Sequence, residues 1–284
     1  MRHGFLLIDK PAGVTSHDVV AQVRRMLHER SVGHLGTLDP AATGLLVLAV
    51  GRKALKVVEM FSRLTKAYEA DVRLGAVSTT YDGDGAIEEV VPPKGWTVPP
   101  QTTVQNLLRD RFLGRIKQVP PAHSAVHVGG ERAYRKARQG RAVHIPARDV
   151  EISACNLLSY EYPRLRLHVA CGSGTYIRSL AHDLGQMLRC GGYLERLRRT
   201  EVGEWPVSQA AAPADIAWAR VLPLKDVLQG LPRRDLADEE WQEVQFGRDI
   251  EGEVQPHTIG WHGDIPVAVL EPGGEGIIHA RKVL

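Results

Sequence analysis

The chain has 284 residues, of which 43 % are hydrophobic and 24 % charged, enough apolar material for one large core with a small unit appended. Its 36 basic and 33 acidic side chains leave a formal charge of +3, which permits contact with nucleic acid without requiring it. Three scattered cysteines (Cys155, Cys171, Cys190) and no long apolar run exclude a disulfide framework, a cysteine zinc site and a membrane helix of ~20 residues.

In chain order, residues 5–8 read as a short buried strand, ended by Asp9 and Lys10, and too short for a signal peptide. Cytoplasmic location is the expectation. A turn over 10–16 delivers Thr15 or Ser16 as a helix N-cap. The helix then runs to about residue 30, with Val19, Val20, Val23, Met26 and Leu27 on one face. A tight loop over 33–44 leads into an unbroken apolar run, 45–50, that reads as a buried strand. A helix over 53–64, a strand over 67–74, a polar turn over 79–85 and a proline-rich loop over 92–100 follow. Residues 104–113 suggest a helix, 119–148 an extended excursion, 150–158 and 165–171 strands, and 175–188 an amphipathic helix. Pro223 and Pro232 bracket a linker. Beyond it lie a short helix (239–247) and a hairpin from 267–270 to 277–283. Strands and helices interleave without a regular βαβ rhythm, so the fold class is α+β.

Three motif-like strings carry no chemistry of their own. Asp82-Gly83-Asp84-Gly85 suggests a calcium loop, but its twelfth position is Pro93 and not a bidentate glutamate. Gly172-Ser173-Gly174 lacks the third glycine of a dinucleotide turn, having Ile177 there. The twelve histidines show no zinc spacing, so no metal is expected.

The informative string is Gly33-His34-Leu35-Gly36-Thr37-Leu38-Asp39-Pro40-Ala41-Ala42-Thr43-Gly44. Taken alone, Asp-Pro after glycines is a turn in which aspartate caps its own backbone. The whole string, however, resembles the catalytic motif of the TruB-type tRNA pseudouridine synthases. The opening segment, Leu6 through Val20, is similar to that family's first motif. The resemblance implies a pseudouridine-synthase fold: a central mixed, largely antiparallel sheet flanked by helices, with a small PUA-like β module at the C-terminus. It divides the chain into a catalytic domain, 1–230, carrying an RNA-clamping insertion at about 117–148, and an RNA-binding module, 231–284.

By the same resemblance Asp39 is the nucleophile. Tyr68 stacks on the target base, Tyr176 and Arg178 line the pocket, Leu197 forms an apolar wall, and His34 fills the gap left by a flipped nucleotide. Lys10 and Pro11 shape the floor of the site. The basic residues Arg132, Arg135, Lys136, Arg138 and Arg141, with Arg198 and Arg199, are expected to contact phosphates.

The implied activity is isomerisation of uridine to pseudouridine at position 55 in the tRNA T-arm, by an enzyme needing no protein partner. One glycosidic bond breaks and a carbon–carbon bond forms between the same ribose and the same uracil. Nothing is oxidised or hydrolysed, so no cofactor is expected. The chemistry needs a charged group at the sugar or base and walls that keep the freed uracil in place. An ionised Asp39 supplies the first, and Arg178 is expected to hold its pKa down. The alternatives are a guide-RNA-dependent synthase of the archaeal and eukaryotic branch, and a tRNA-folding chaperone with incidental catalysis. A hydrolytic glycosidase would need a second carboxylate at a set distance.

Overall fold

The computed structural model describes residues 3–284 apart from 125, 129 and 140, without the side chains of 128, 132, 137 and 138. The larger sheet is built around β1 (Gly4–Lys10), β2 (Thr43–Val50), β3 (Lys66–Leu74), β4 (Gly114–Gln118), β5 (Arg148–Glu161), β6 (Arg164–Cys171) and β7 (Gly192–Val202), with three short strands at its margins. Their order across the sheet is β1-β2-β7-β3-β6-β5-β4. Every neighbouring pair is antiparallel except β7 with β2, which run parallel through Arg198 opposite Thr43 and Arg199 opposite Gly44. The expected mixed, largely antiparallel sheet is therefore present.

Side chains alternate across a strand, and this sheet uses both faces. Leu6, Ile8, Leu46 and Leu48 pack under α1 (Ser16–Leu27) through Val19, Val20, Val23 and Leu27. Phe5, Leu7, Leu45 and Val47 face the other way, against α2 (Arg52–Val57), Phe61 and Trp205. Burial on both faces explains why 45–50 is apolar without alternation. Two further helices, α3 (Gln101–Phe112) and α5 (Ile177–Met187), cover Val72, Leu74, Leu167 and Val169. A Cβ on Gly185 would come 2.1 Å from the Gly192 nitrogen, so α5 rests almost directly on β7.

Several predicted boundaries shift for local reasons. The cap of α1 is Thr15, in a reciprocal box with Asp18. The helix stops at Leu27 because His28 turns left-handed (φ 51°) and its N–H closes onto Arg24 and Arg25 carbonyls. The helix expected over 53–64 is α2 followed by a 3₁₀ turn, Val58–Phe61. The excursion over 119–148 is not extended. It contains a two-stranded ribbon (His127–Val128 with Glu131–Arg132) and α4 (Ala133–Arg138), around Val126, Ala133 and Ile145.

The linker expected between Pro223 and Pro232 is α6 (Leu224–Leu228). Leu224, Val227 and Leu228 fall on one helical face and bury themselves against Phe5 and Leu7. Beyond it, α7 (Asp238–Val244) accompanies a second sheet of β8 (Arg233–Asp235), β9 (Ile250–Glu251), β10 (Thr258–His262), β11 (Ile265–Gly274) and β12 (Ile277–Val283), ordered β8-β10-β11-β12-β9. Ile259, Trp261 and Val269 from this sheet, with Leu284 just beyond it, share the core of Phe5 and Trp205. Among the described residues no helix is long and apolar enough to cross a membrane.

β2 and β7 approach very closely at Gly44. Its φ is +99°, and a Cβ there would lie 2.2 Å from the carbonyl oxygen of Arg199. Gly44→Ala therefore has to part β2 from β7 and strain the backbone. It should cost about 3 kcal/mol or more and lower Tm by roughly 6 °C or more, read by calorimetry.

Candidate active site

The loop over 35–42 is held from below by β1 and α1. Lys10 is fully buried, and its ammonium donates to the carbonyls of Pro11 (2.9 Å), Val14 (2.8 Å) and Pro40 (3.1 Å). All three donors of the lysine are thus used. Ser16, also buried, donates to the Leu38 carbonyl (3.0 Å) and accepts from the Leu38 N–H (2.9 Å). Lys10, expected at the floor of the site, lies buried beneath the loop that carries Asp39. Pro11 does not: it is exposed and contributes only its carbonyl.

Asp39 sits on this clamped loop, with its carboxylate aimed at a guanidinium on α5. Arg178 Nε lies 3.1 Å from Asp39 Oδ2. The Arg178 side chain is only 8 % exposed, and it also reaches the 80–82 turn and His123. Nη1 lies 3.1 Å from Asp82 Oδ2 and donates to the Thr80 carbonyl, while Nη2 donates to the His123 carbonyl (3.0 Å). The start of α5 is fixed in turn by Gln118, which exchanges two hydrogen bonds with the Tyr176 backbone, and by Ser179 Oγ donating to Val119.

Asp82 is the functional residue that sequence reasoning missed. The Asp-Gly-Asp-Gly string drew attention only as a calcium loop. Its acid instead shares Arg178 with Asp39, braced by the Thr80 hydroxyl (2.5 Å) and the Asp84 N–H (3.1 Å). The only sequence signal was an acid in a polar turn between two strands.

The pKa of Asp39 is raised, contrary to the expectation that Arg178 would hold it down. Confinement between the cleft walls is the largest cause. Arg178 opposes it, Asp82 and Asp84 add to it, and Lys10 opposes it more weakly. The carboxylate remains 43 % exposed, on the side that faces the cleft. A guanidinium divided between two acids cannot offset this desolvation.

Tyr68 on β3 lies opposite Arg199 on β7, and the guanidinium opposes the burial that pushes the Tyr68 phenol up. Arg199 is 1 % exposed. It donates from Nε to the Leu45 carbonyl (2.7 Å) and from Nη2 to the Gly36 carbonyl (3.1 Å). The expectation that Arg199 contacts phosphate is overturned: it lies beneath the loop, inside the sheet. Its neighbour Arg198 points to the opposite face, as strand alternation requires. There it is 39 % exposed and grips Asp9 through both Nη atoms (3.0 and 2.7 Å).

The six expected pocket residues, His34, Asp39, Tyr68, Tyr176, Arg178 and Leu197, all line one cleft of about 1120 Å³. His34 keeps a buried Nδ1 without a hydrogen-bond partner, and burial with nearby His17 and Arg199 pushes its pKa down, towards the neutral ring. Tyr176 packs on the small core of the 119–148 segment, so that segment forms one wall. On its outer side Arg135 is exposed and Arg141 pairs with Glu131 at 2.7 Å. Lys136 is half-buried on α4, and the side chains of Arg132 and Arg138 lie outside the described residues.

A carboxyl whose pKa is higher in the folded chain than in the unfolded one favours the folded state most at pH below the unfolded value. That contribution is lost as pH rises through the folded value. At neutral pH an ionised Asp39 is therefore a net burden on stability. Asp39→Asn should leave Tm unchanged or raise it by a few degrees at pH 7. The gain over wild type should vanish below pH 4, as measured by thermal melts across pH.

Comparison with known proteins places this site in a family. A model described as TruB family pseudouridylate synthase (N terminal domain) matches residues 24–177, and one described as tRNA pseudouridylate synthase B C-terminal domain matches 178–226. The tRNA pseudouridine synthase B of Leifsonia xyli is 42 % identical over 288 residues, spanning 98 % of this chain and 93 % of that one. That of Xylella fastidiosa is 38 % identical over 293 residues, spanning 99 % and 95 %. Two solved structures share the fold at lower identity. One is an H/ACA RNP bound to a substrate RNA containing 2′-deoxyuridine (TM-score 0.72, 22 % identity, 100 % of this chain and 85 % of that one). The other is a Cbf5-Nop10-Gar1 complex (TM-score 0.70, 23 % identity, 94 % and 78 %). Matched along most of its length by both family models and by close relatives, the chain belongs to the TruB family of pseudouridylate synthases.

Proposed function

We propose that this protein isomerises uridine to pseudouridine at position 55 in the T-arm of tRNA, as a stand-alone enzyme with Asp39 as nucleophile. The observation that carries the reading is the Asp39–Arg178 contact (3.1 Å) at the base of a cleft that also holds Tyr68 and Leu197. The tRNA substrate is supported by relatives named tRNA pseudouridine synthase B at 38–42 % identity.

The reaction breaks the bond between uracil N1 and ribose C1′ and joins C1′ to C5. The C5 proton leaves, and N1 ends by carrying one. An ionised Asp39 serves this by adding to C6, by attacking C1′ or by stabilising an elimination, and all three need a carboxylate fixed beside the nucleotide. Arg178 aims it. Tyr68 and Leu197 pack on the freed uracil so that it turns over without escaping.

The target base has to leave its stack, at a cost of a few kcal/mol. Stacking on an aromatic ring returns roughly 1–3 kcal/mol. His34, with its unpartnered Nδ1, is placed to occupy the vacancy. Arg132, Arg135, Lys136, Arg138 and Arg141 on the 119–148 segment, with Arg198, serve as phosphate contacts. The second sheet, over 231–284, acts as a PUA-like RNA-binding module.

Purified protein incubated with an unmodified T-arm hairpin, without guide RNA or added protein, should form pseudouridine at position 55. Asp39→Asn should form none while still binding the hairpin. Product that appears only with a guide RNA, or at another position, would overturn the assignment. A cellular phenotype rescued by Asp39→Asn would point to RNA folding as the selected role.

Arg178→Met should slow single-turnover isomerisation by at least roughly 10²–10³-fold. Hairpin affinity, measured by filter binding, should stay within about threefold, because Arg178 is buried behind Asp39.

A further inference from the structure

Tyr81 has a backbone that bulky side chains avoid. Its φ is +66°, in the left-handed region where Cβ crowds the following carbonyl. Such outliers persist only where surrounding contacts hold them. Here the holding contact is aromatic. The Tyr81 ring lies flat on His182, with centroids 3.9 Å apart and planes 7° from parallel. His182 Nδ1 is buried with no hydrogen-bond partner, so the imidazole is held by this stack and not by a polar bond at that atom.

The location gives the outlier meaning. His182 is four residues after Arg178 on α5, so the two side chains share one helical face, a turn apart. Tyr81 meets His182, and the next residue, Asp82, meets Arg178 at 3.1 Å. Successive side chains of an extended segment point to opposite sides. A left-handed residue at 81 lets both 81 and 82 reach the same helix. The turn is closed from behind by the Leu194 N–H donating to the Tyr81 carbonyl (3.0 Å) and by Tyr81 N–H donating to Ser78 (3.1 Å).

We propose that Tyr81 and His182 are positioning residues for the isomerisation. Their stack holds the left-handed turn that aims Asp82 at Arg178, and through Arg178 it sets the guanidinium against Asp39. This rests on the reading that Asp39 and Arg178 form the reacting site. Neither ring lines the cleft, so their effect passes through Asp82.

Four single variants separate this from a merely structural role. Tyr81→Asn tolerates the left-handed backbone but loses the ring, and His182→Ala removes the other half of the stack. Tyr81→Phe and His182→Phe keep an aromatic face. Tyr81→Asn and His182→Ala should each slow single turnover on the T-arm hairpin by roughly 10- to 100-fold, with hairpin affinity unchanged and Tm within a few degrees of wild type. Both phenylalanine variants should stay within about threefold of the wild-type rate. In an Asp82→Asn background, Tyr81→Asn should add little, since both act through one contact. A crystal structure of Tyr81→Asn should show Asp82 withdrawn from Arg178.

A normal rate in Tyr81→Asn, a loss equally large in Tyr81→Phe, full additivity with Asp82→Asn, or an unmoved Asp82–Arg178 contact would each overturn the inference. A wild-type protein inactive on the hairpin would count against the proposed function instead, and the Asp82–Arg178 distance in Tyr81→Asn would still decide this point.

Discussion

One buried guanidinium organises the catalytic half of this molecule. Arg178 is nearly excluded from solvent, and a cation in such a place must be neutralised and fully hydrogen-bonded or the fold rejects it. The chain meets that demand with two carboxylates and two carbonyls, drawn from the 33–44 loop, the turn at 80–82 and the start of the 119–148 segment. None of these segments is rigid by its own composition. Arg178 ties them to one another, and each has its own anchors as well: Lys10 and Ser16 under the loop, Thr80 and Leu194 at the turn. The boundary between the two matching family models falls between Ile177 and Arg178, so neither stretch by itself contains both the acid and its cation.

The acid pays for that arrangement in proton affinity. Arg178 has two claimants, and the cleft strips water from Asp39, so the carboxyl is pushed up despite an arginine at contact distance. Deeper in the sheet, Arg199, Lys10 and Lys66 are all shifted the other way by burial. Lys10 and Arg199 are held chiefly by carbonyl oxygens. The result is a cationic floor under a cleft whose lining acids, among the described residues, are Asp39, Asp82 and Asp84. Such a floor favours a ligand that brings negative charge, and an RNA segment with its phosphates is one.

Local rules read well from this sequence where a single element decided the outcome. The Thr15 cap, the apolar run at 45–50 and the strands at 67–74 and 165–171 needed only periodicity and propensity. The family motif then supplied the pocket, and all six of its expected lining residues converge. What stayed hidden depended on distant partners. Arg198 and Arg199 are one chemical type in sequence, yet one faces Asp9 at the surface and the other lies under Gly36. Only strand register distinguishes them. Asp82 was invisible as a functional residue because its meaning comes from a helix nearly a hundred residues later. The 223–232 segment looked like a tether because two prolines outweighed Leu224, Val227 and Leu228, whose burial needs a groove that sequence does not display.

The shared core of Phe5 and Leu7 with Ile259, Trp261 and Val269 bears on how the chain is made. β1 precedes by about 250 residues some of the residues that help to cover one of its faces. α2, Phe61 and Trp205 close on part of that face sooner, but the loop that brings up the rest is long and slow to close. The nascent protein thus passes through a stage in which a holdase would find an unfinished apolar flank beside a site already roughed out.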